Sequence, residues 1–198
     1  MSSMSSLLVV YLHGFRSSPR SSEARMTGDA IAHRVEQGAT IEWYCPQLLA
    51  SPKESMDMVI KRIDQSQADR IVIIGSSLGG FYTNYLAEKY RCKGVVLNPA
   101  VYAARELEPH VGMMTAYDSE EPFDFRAEYI DELNRMQIES ITLPERYLLL
   151  AATGDELLDW REMAAFYPGA QQIIIQGSDH GIANYSDYLD AVVRFACD

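Results

Sequence analysis

The stretch Arg70-Ile-Val-Ile-Ile-Gly-Ser-Ser-Leu-Gly-Gly-Phe-Tyr82 decides the fold of this 198-residue chain. Its β-branched run, Ile71 to Ile74, is typical of a strand that is buried on both faces. After the glycines, apolar side chains recur at helical spacing, at Phe81, Tyr82, Tyr85, Leu86 and Tyr90. The stretch therefore predicts a strand, a sharp turn and a helix, with Ser77 on the turn.

Gly75 and Gly79 flank Ser77 in the pattern G-x-S-x-G. A serine on such a strained bend needs glycine two residues away on either side, because the backbone leaves no room there for side chains. The bend presents the serine hydroxyl for nucleophilic attack. Serine and glycine clusters are also ordinary turn chemistry. The prediction of a nucleophile therefore depends on finding a base and an acid later in the chain.

The composition is typical of a globular protein. Hydrophobic residues make up 47% of the chain and charged residues 23%, so one compact domain over residues 1–198 is expected. The formal net charge is -11 and no run of Lys or Arg is present. Both features argue against binding to nucleic acids or to anionic membrane surfaces.

The cysteines and the amino terminus indicate the cellular compartment. Cys45, Cys92 and Cys197 are odd in number and widely spaced, so they predict neither a disulfide framework nor a paired-cysteine metal site. Residues 1–6 contain no Lys or Arg, and the apolar run Leu7–Leu12 is too short for a signal peptide or a membrane span. A reducing cytoplasm is the expected location.

Strand and helix patterns alternate along most of the chain. Further strands are predicted at Leu7–Leu12, Thr40–Cys45, Gly94–Leu97, Tyr147–Ala152 and Ile173–Ile175. Helices are predicted after the N-cap residues Ser18 and Ser51, and over Glu156–Tyr167 and Ile182–Ala196. This alternation predicts an α/β fold, with a six-stranded parallel sheet and helices on both of its faces.

Residues 100–144 are too long for an ordinary connection, so an insertion is predicted after the fourth strand. Soft apolar surface is provided by Met113, Met114, Tyr117, Phe123 and Phe125. A short amphipathic helix is expected near Tyr129 and Met136. The insertion either packs on the sheet or forms a lid over the site.

The loops at the carboxyl ends of parallel strands share one edge of a sheet, which is where ligands bind. The candidate side chains at this edge are those of His13, Ser77, Asn98, Asp155, Asp179 and His180. The order Ser, Asp, His along the chain is that of the α/β-hydrolases. Ser77 is thus the predicted nucleophile, His180 the base, and Asp155 the acid that orients His180.

Each assignment has an alternative. Asp155 is favoured as the acid because it directly follows Thr153-Gly154 at the end of the fifth strand, but it could be only a helix cap. Asp159 and Asp179 lie near the same edge. A metal site formed by His and Asp side chains lacks close ligand spacing, so no metal is expected.

An oxyanion that forms during attack needs two backbone N–H donors. Leu78, directly after the nucleophile, is expected to supply one donor. The loop His13-Gly14-Phe15 is expected to supply the other, through the Phe15 N–H. His13 would then shape this loop, although it is also the alternative to His180 as the base.

Several motifs together resemble the YqiA-type small esterases, a minimal α/β-hydrolase family. They are Leu12-His13-Gly14-Phe15, Ser17-Ser18-Pro19-Arg20, Gly75-Ser76-Ser77-Leu78-Gly79-Gly80, Asn98-Pro99-Ala100, Thr153-Gly154-Asp155-Glu156 and Asp179-His180. The resemblance spans nearly the whole chain and implies a cytoplasmic serine hydrolase of carboxylic esters or acyl thioesters that uses no cofactor. It also maps the nucleophile, acid and base of the family onto Ser77, Asp155 and His180.

The resemblance has further implications for the sheet and the pocket. The second strand should lie outside the first, and the third beside the first. Arg16 stands where the family pattern usually has Asn, and Gly181 where Ala is common, so both could alter the pocket. The residues expected to contact the substrate are His13, Gly14, Arg16, Met113, Met114 and Tyr117.

Other activities use the same triad. An acyl-CoA thioesterase and a small peptidase are the alternatives among enzymes. A binding protein that kept the fold and lost turnover is the alternative from another class. In each enzymatic case the partner is a small-molecule or peptide substrate, and the sequence leaves the oligomeric state open.

Overall fold

A computed structural model describes residues 5–117 and 120–198. Its strands are β1 (Leu7–Leu12), β2 (Ile41–Tyr44), β3 (Arg70–Ser76), β4 (Lys93–Leu97), β5 (Gly112–Thr115), β6 (Pro122–Phe125), β7 (Tyr147–Ala152) and β8 (Gln171–Ile175). Six of them form a parallel sheet in the order β2-β1-β3-β4-β7-β8, while β5 and β6 form a separate antiparallel pair. The predicted α/β sheet, with β1 between β2 and β3, is confirmed.

Helices cover both faces of the sheet. They are α1 (Ser22–Glu36), α2 (Pro52–Asp64), α3 (Leu78–Tyr90), α4 (Ala103–Leu107), α5 (Glu128–Met136), α6 (Trp160–Phe166) and α7 (Leu189–Cys197). Strand β1 shows the reason, because Val9 and Tyr11 pack into one apolar cluster while Leu8 and Val10 pack into another. A strand that buries both faces needs a helical layer on each side.

The N-caps predicted for the first two helices, Ser18 and Ser51, differ in outcome. Ser51 is the N-cap of α2, as predicted, and its hydroxyl accepts the Glu54 N–H at 3.1 Å. The prediction for Ser18 is wrong, because α1 begins three residues later with Ser21 as its cap. The Ser18 hydroxyl instead accepts the Arg20 N–H, which closes a local turn before the helix.

The last two helices begin later than predicted. Helix α6 begins at Trp160 rather than Glu156, because the Asp155 carboxylate binds the N–H groups of Leu157 and Leu158 in a separate turn. Helix α7 begins at Leu189 rather than Ile182. Ile182 has a φ of +50°, which a right-handed helix does not accommodate.

The described part of the predicted insertion contains more secondary structure than the single helix expected. Helix α5 is as expected, but the hairpin β5–β6 and the short helix α4 were not predicted. Phe125 and Leu133 are completely buried in the same apolar cluster as Leu12 and Leu78. The insertion is therefore anchored on the sheet beside the turn that carries Ser77.

Among the helices that the structure describes, none combines the length and the apolar character needed to cross a lipid bilayer.

Candidate active site

Ser77 lies on the turn between β3 and α3 with a φ of +54°, a conformation that is strained for any residue with a side chain. A Cβ atom at Gly75 would overlap the Gly79 carbonyl oxygen. A Cβ atom at Gly79 would overlap the Leu12 carbonyl oxygen at the end of β1. The two glycines thus allow the helix to start against the strand ends, and this packing holds Ser77 at the carboxyl edge of the sheet.

The loop after β1 lies beside Ser77. A Cβ atom at Gly14 would be 3.2 Å from Ser77 Cβ and 3.8 Å from Ser77 Oγ. Leu78 is the first residue of α3, where an N–H has no partner within the helix. Within residues 5–117 and 120–198, neither the Phe15 N–H nor the Leu78 N–H donates a hydrogen bond. Both donors sit on segments that meet at Ser77.

His13 is a buried residue that joins two loops. Its Nε2 accepts the Leu48 N–H at 2.9 Å, and its Nδ1 lies 2.9 Å from the Gly14 carbonyl oxygen. Because a backbone N–H can only donate, Nε2 must be the acceptor and Nδ1 carries the proton. Both ring nitrogens are therefore engaged within the protein, and this geometry suits the loop-shaping role better than the role of a base.

Asp155 and His180 form a partly buried pair. His180 Nδ1 lies 2.8 Å from Asp155 Oδ2, and the Asp155 side chain is 0% exposed. The second carboxylate oxygen accepts the N–H groups of Leu157 and Leu158 at 2.8 and 2.9 Å. A buried carboxylate needs such partners to offset the cost of leaving water. Asp155 thus orders its own loop and holds the imidazole ring at the same time.

The competing carboxylates have other partners. Asp159 is the N-cap of α6, and its Oδ1 accepts the Arg161 N–H at 2.9 Å. Asp179 Oδ1 accepts the Ala183 N–H at 2.8 Å. Neither is hydrogen-bonded to the His180 ring in the described part of the chain. The geometry therefore favours Asp155 among the three aspartates.

Two further contacts at His180 were not predicted from the sequence. The His180 N–H donates to Glu156 Oε2 at 3.0 Å, so the residue after Asp155 holds the backbone of the same histidine. The carbonyl oxygens of Asp179 and His180 accept hydrogen bonds from the side chain of Asn98. Glu156 and Asn98 belong to the motifs Thr153-Gly154-Asp155-Glu156 and Asn98-Pro99-Ala100. Their contacts are with the backbone of another segment, and a sequence pattern does not indicate such contacts.

Ser77 Oγ and the His180 ring are not hydrogen-bonded to each other in the described residues. Serine and histidine in hydrolases tighten this contact when substrate is bound, and it is often long without substrate. The backbones of both residues are nevertheless fastened to the end of β4. The Ser77 N–H donates to the Leu97 carbonyl at 3.0 Å, and Asn98 binds the His180 carbonyl at 2.8 Å.

A small pocket lined in part by Leu78 lies beside the Ser77 turn, and a larger groove shares part of the wall of that pocket. The pocket has a volume of about 10 Å³, close to the space that one water molecule needs. The groove has a volume of about 540 Å³. Their walls share Leu48, Leu49, Ala50 and Phe123.

The predicted substrate contacts divide into two sets. His13, Gly14 and Arg16 line the small pocket, together with Phe15 and Leu78. Met113, Met114 and Tyr117 line neither the pocket nor the groove. Met113 and Tyr117 are instead 69% and 68% exposed. The apolar residue that the hairpin contributes to both walls is Phe123.

Arg16 fastens the loop after β1 to the hairpin. Its Nε donates to the Thr115 carbonyl, and its guanidinium lies 4.3 Å from the centre of the Tyr117 ring. Its own carbonyl accepts the Tyr117 N–H at 2.9 Å. The neighbouring Phe15 packs edge-to-face on Phe123, with ring centres 5.2 Å apart. The loop that carries a candidate oxyanion donor is therefore tied to the insertion.

The cysteine thiols are poor candidates for a nucleophile. Burial raises the pKa of Cys45 to about 12. The pKa of Cys92 is also raised to about 12, and burial is the largest of its causes. Burial also raises the pKa of Cys197. Since the thiolate is the nucleophilic form, all three are unreactive near neutral pH. Ser77 has no competitor among them.

Comparisons with known proteins agree with the fold. A family model described as UPF0227, an uncharacterised protein family, matches residues 8–197. Est1E from Butyrivibrio proteoclasticus, solved with bound ferulic acid, superimposes with a TM-score of 0.72 at 14% identity, covering 98% of this chain and 89% of the other.

Two further solved structures are similar. The esterase domain of a Rhodothermus marinus protein has a TM-score of 0.68 at 16% identity, covering 98% of this chain and 88% of that one. A monoacylglycerol lipase from Paleococcus ferrophilus has a TM-score of 0.66 at 17% identity, covering 96% and 93%. At these identities the similarity establishes the α/β-hydrolase fold.

Proposed function

We propose that this chain, which belongs to the UPF0227 family and is related to the YqiA-type esterases, is a serine hydrolase of carboxylic esters. The observation that carries the proposal is the hydrogen-bonded Asp155–His180 pair at the same sheet edge as a serine on a strained turn. Family membership agrees with the resemblance seen in the motifs. A structural carboxylate–imidazole pair alone would not require Ser77 to be strained.

The chemistry follows from the hydrogen bonds. The Asp155 carboxylate accepts a hydrogen bond from the Nδ1–H of His180, which leaves the lone pair of the neutral imidazole on Nε2. His180 then takes the proton of Ser77 while Oγ attacks the ester carbonyl carbon. The Phe15 and Leu78 N–H groups stabilise the oxyanion. His180 passes the proton to the departing alcohol, and water repeats the sequence on the acyl-enzyme to release the carboxylic acid.

The pocket and groove support acyl groups of small to medium size. The space beside Phe15 and Leu78 holds little more than a water molecule, so the chain of a longer acyl group must continue elsewhere. The adjoining groove has Leu48, Leu49 and Phe123 in its wall beside charged side chains such as Glu121 and Asp124, so an acyl chain could contact the apolar part of the wall. We therefore place the acyl chain of the substrate along this groove.

Labelling of Ser77 tests the proposal. The wild-type protein should react with a fluorophosphonate probe at Ser77, located by mass spectrometry, and should hydrolyse p-nitrophenyl esters. Ser77→Ala should lose labelling and at least roughly a thousandfold in kcat. Ser76→Ala is the matched control, because it removes the neighbouring hydroxyl and should keep both. An unlabelled wild-type protein, or full turnover by a folded Ser77→Ala variant, would contradict the proposal.

Measuring kcat/KM for p-nitrophenyl esters and for acyl-CoAs, each with acyl chains of increasing length, distinguishes an esterase from a thioesterase. A larger kcat/KM for the thioesters would change the substrate class while leaving the triad chemistry in place.

A further inference from the structure

Asn98, directly after β4, touches the segments that carry the base and the acid. We propose that Asn98 is a positioning residue that aligns His180 with Ser77 during catalysis. The inference rests on the proposed serine hydrolase function. It assigns a role to a side chain that the sequence placed at the sheet edge without one.

Both polar atoms of the Asn98 amide have hydrogen-bond partners at this edge. Nδ2 donates to the His180 carbonyl at 2.8 Å and to the Asp179 carbonyl at 3.1 Å. Oδ1 accepts the Ala152 N–H at the end of β7 at 2.8 Å. The orientation of the amide is fixed, because a flipped amide would set like groups against each other at all three contacts.

Residues on either side of Asn98 hold the nucleophile. The Ser77 N–H donates to the Leu97 carbonyl at 3.0 Å, and the Ala100 N–H donates to the Ser77 carbonyl at 3.0 Å. The Asn98 N–H donates to the Leu150 carbonyl at 2.9 Å, in β7. One tetrapeptide thus binds the backbone of Ser77, while the side chain at its second position binds the backbone of His180.

The conformation and burial of Asn98 are unusual for a polar residue. It is 0% exposed, and its φ of +40° lies in the left-handed region that Asn and Asp tolerate better than most residues. A buried amide is retained at little cost when every polar atom has a partner. Here all the partners of the side chain belong to the segments around Asp155 and His180.

Hydrogen bonds to its backbone help to fix the position of the loop before His180. Gly177 and Ser178 both have positive φ values, of +70° and +62°, and Gly177 is exposed. The Asp155 bond fixes the imidazole ring, but it does not fix the backbone that carries it. Asn98 binds the carbonyl side of that backbone from the interior of the protein, and Glu156 binds its N–H. A misplacement of about 1 Å between reacting groups can cost on the order of a hundredfold in rate.

Asn98→Asp is the sharpest variant. It preserves the size of the side chain and the tolerance for a positive φ, and it retains an oxygen for the Ala152 N–H. It replaces the two N–H donors by an oxygen that repels the carbonyls of Asp179 and His180. We expect kcat to fall between about tenfold and a hundredfold, with KM within about twofold of wild type. The rate of fluorophosphonate labelling should fall by the same factor as kcat, while its final stoichiometry stays at one per chain.

Asn84→Asp is the matched control. Asn84 is also buried, and its Oδ1 accepts the Tyr167 hydroxyl at 2.9 Å, away from the candidate site. It therefore reports the effect of a buried aspartate on folding, and it should leave kcat near the wild-type value. Asn98→Gly is the second variant at the proposed position, because glycine accepts a positive φ and removes the amide altogether.

The outcomes separate the two proposals. If the wild-type protein neither labels at Ser77 nor turns over esters, the proposed function fails. If the wild type is active and folded Asn98→Asp and Asn98→Gly variants keep its kcat and labelling rate, the positioning role is refuted. If neither Asn98 variant folds while Asn84→Asp does, Asn98 supports the fold rather than the alignment, which also overturns the proposal.

Discussion

His180 Nδ1 lies 2.8 Å from Asp155 Oδ2, although 25 positions separate the two residues in the chain. The pair forms because β7 and β8 are parallel neighbours, so the loops that follow them meet at the same edge of the sheet. The Thr153 N–H donates to the Ile175 carbonyl at 2.8 Å, and the Gly154 N–H to the Gly177 carbonyl at 3.1 Å. These bonds extend the pairing of the two strands to the residue before Asp155.

Replacement of the acid should be more harmful than replacement of either neighbouring aspartate. Asp155→Asn keeps the shape of the side chain but favours the wrong tautomer of His180, so kcat should fall on the order of ten-thousandfold. Asp159→Asn and Asp179→Asn each keep an oxygen that can accept the same backbone N–H, so they should cost far less. Steady-state kinetics on all three variants would check this. If Asp159→Asn lost most of its kcat while Asp155→Asn kept it, Asp155 would only order its loop.

The two histidines at the edge should behave differently. His180→Ala should abolish ester hydrolysis without unfolding the protein, because the ring is partly exposed and bonded to one side chain. His13→Ala should mainly lower the free energy of unfolding, by about 1–3 kcal/mol, because it leaves the buried Leu48 N–H without its acceptor. Urea unfolding and kcat measured on both variants separate these effects.

Ester hydrolysis should be lost in acid, since an imidazolium cannot accept the Ser77 proton. We therefore expect kcat/KM to be lower in acid than near neutral pH. A flat profile from about pH 5 to pH 9 would contradict a histidine base.

The groove should set the preference for acyl chain length. Leu49 lines both the pocket and the groove and is 48% exposed, so Leu49→Trp can fill the groove with little effect on the core. We expect kcat/KM for long-chain p-nitrophenyl esters to fall about tenfold, with little change for the acetate ester. Met113→Trp is the matched control, because Met113 lies on the outside of the hairpin. A larger effect at Met113 would instead favour a hairpin that closes over the substrate as a lid.

Thiol reagents should not inhibit the enzyme. The raised pKa of Cys45 and Cys92, about 12 in each case, means that the protonated thiol persists until the pH approaches that value. Near pH 8 only about one molecule in ten thousand carries the thiolate at either position. Iodoacetamide at this pH should therefore alkylate both residues far more slowly than free cysteine, with ester hydrolysis unchanged. Rapid loss of activity on alkylation would point to a cysteine at the site.

Local features of the candidate site could be predicted because each depends on nearby residues. A side chain at Gly75 or Gly79 would overlap backbone atoms of the same turn or of the neighbouring strand end. The glycine pattern around Ser77 therefore predicts the turn. Ser51 followed by Pro52 fixes the start of α2 for the same reason. Ser18 before Pro19 carries the same pattern and fails, because a local turn at Arg20 satisfies the serine hydroxyl first.

Periodicity and backbone sterics were sufficient to predict the order of the six strands of the parallel sheet, the strained serine and the residue types of the proposed triad, but not the hairpin β5–β6 or helix α4. The tertiary structure alone decided which carboxylate meets His180, that Asn98 binds its backbone, and that the wall of the groove comes from Leu49 and Phe123 rather than Met113. Those choices depend on hydrogen bonds to main-chain groups and on packing between distant segments. Main-chain donors and acceptors are the same at nearly every position, so the sequence does not show which of them a side chain will find.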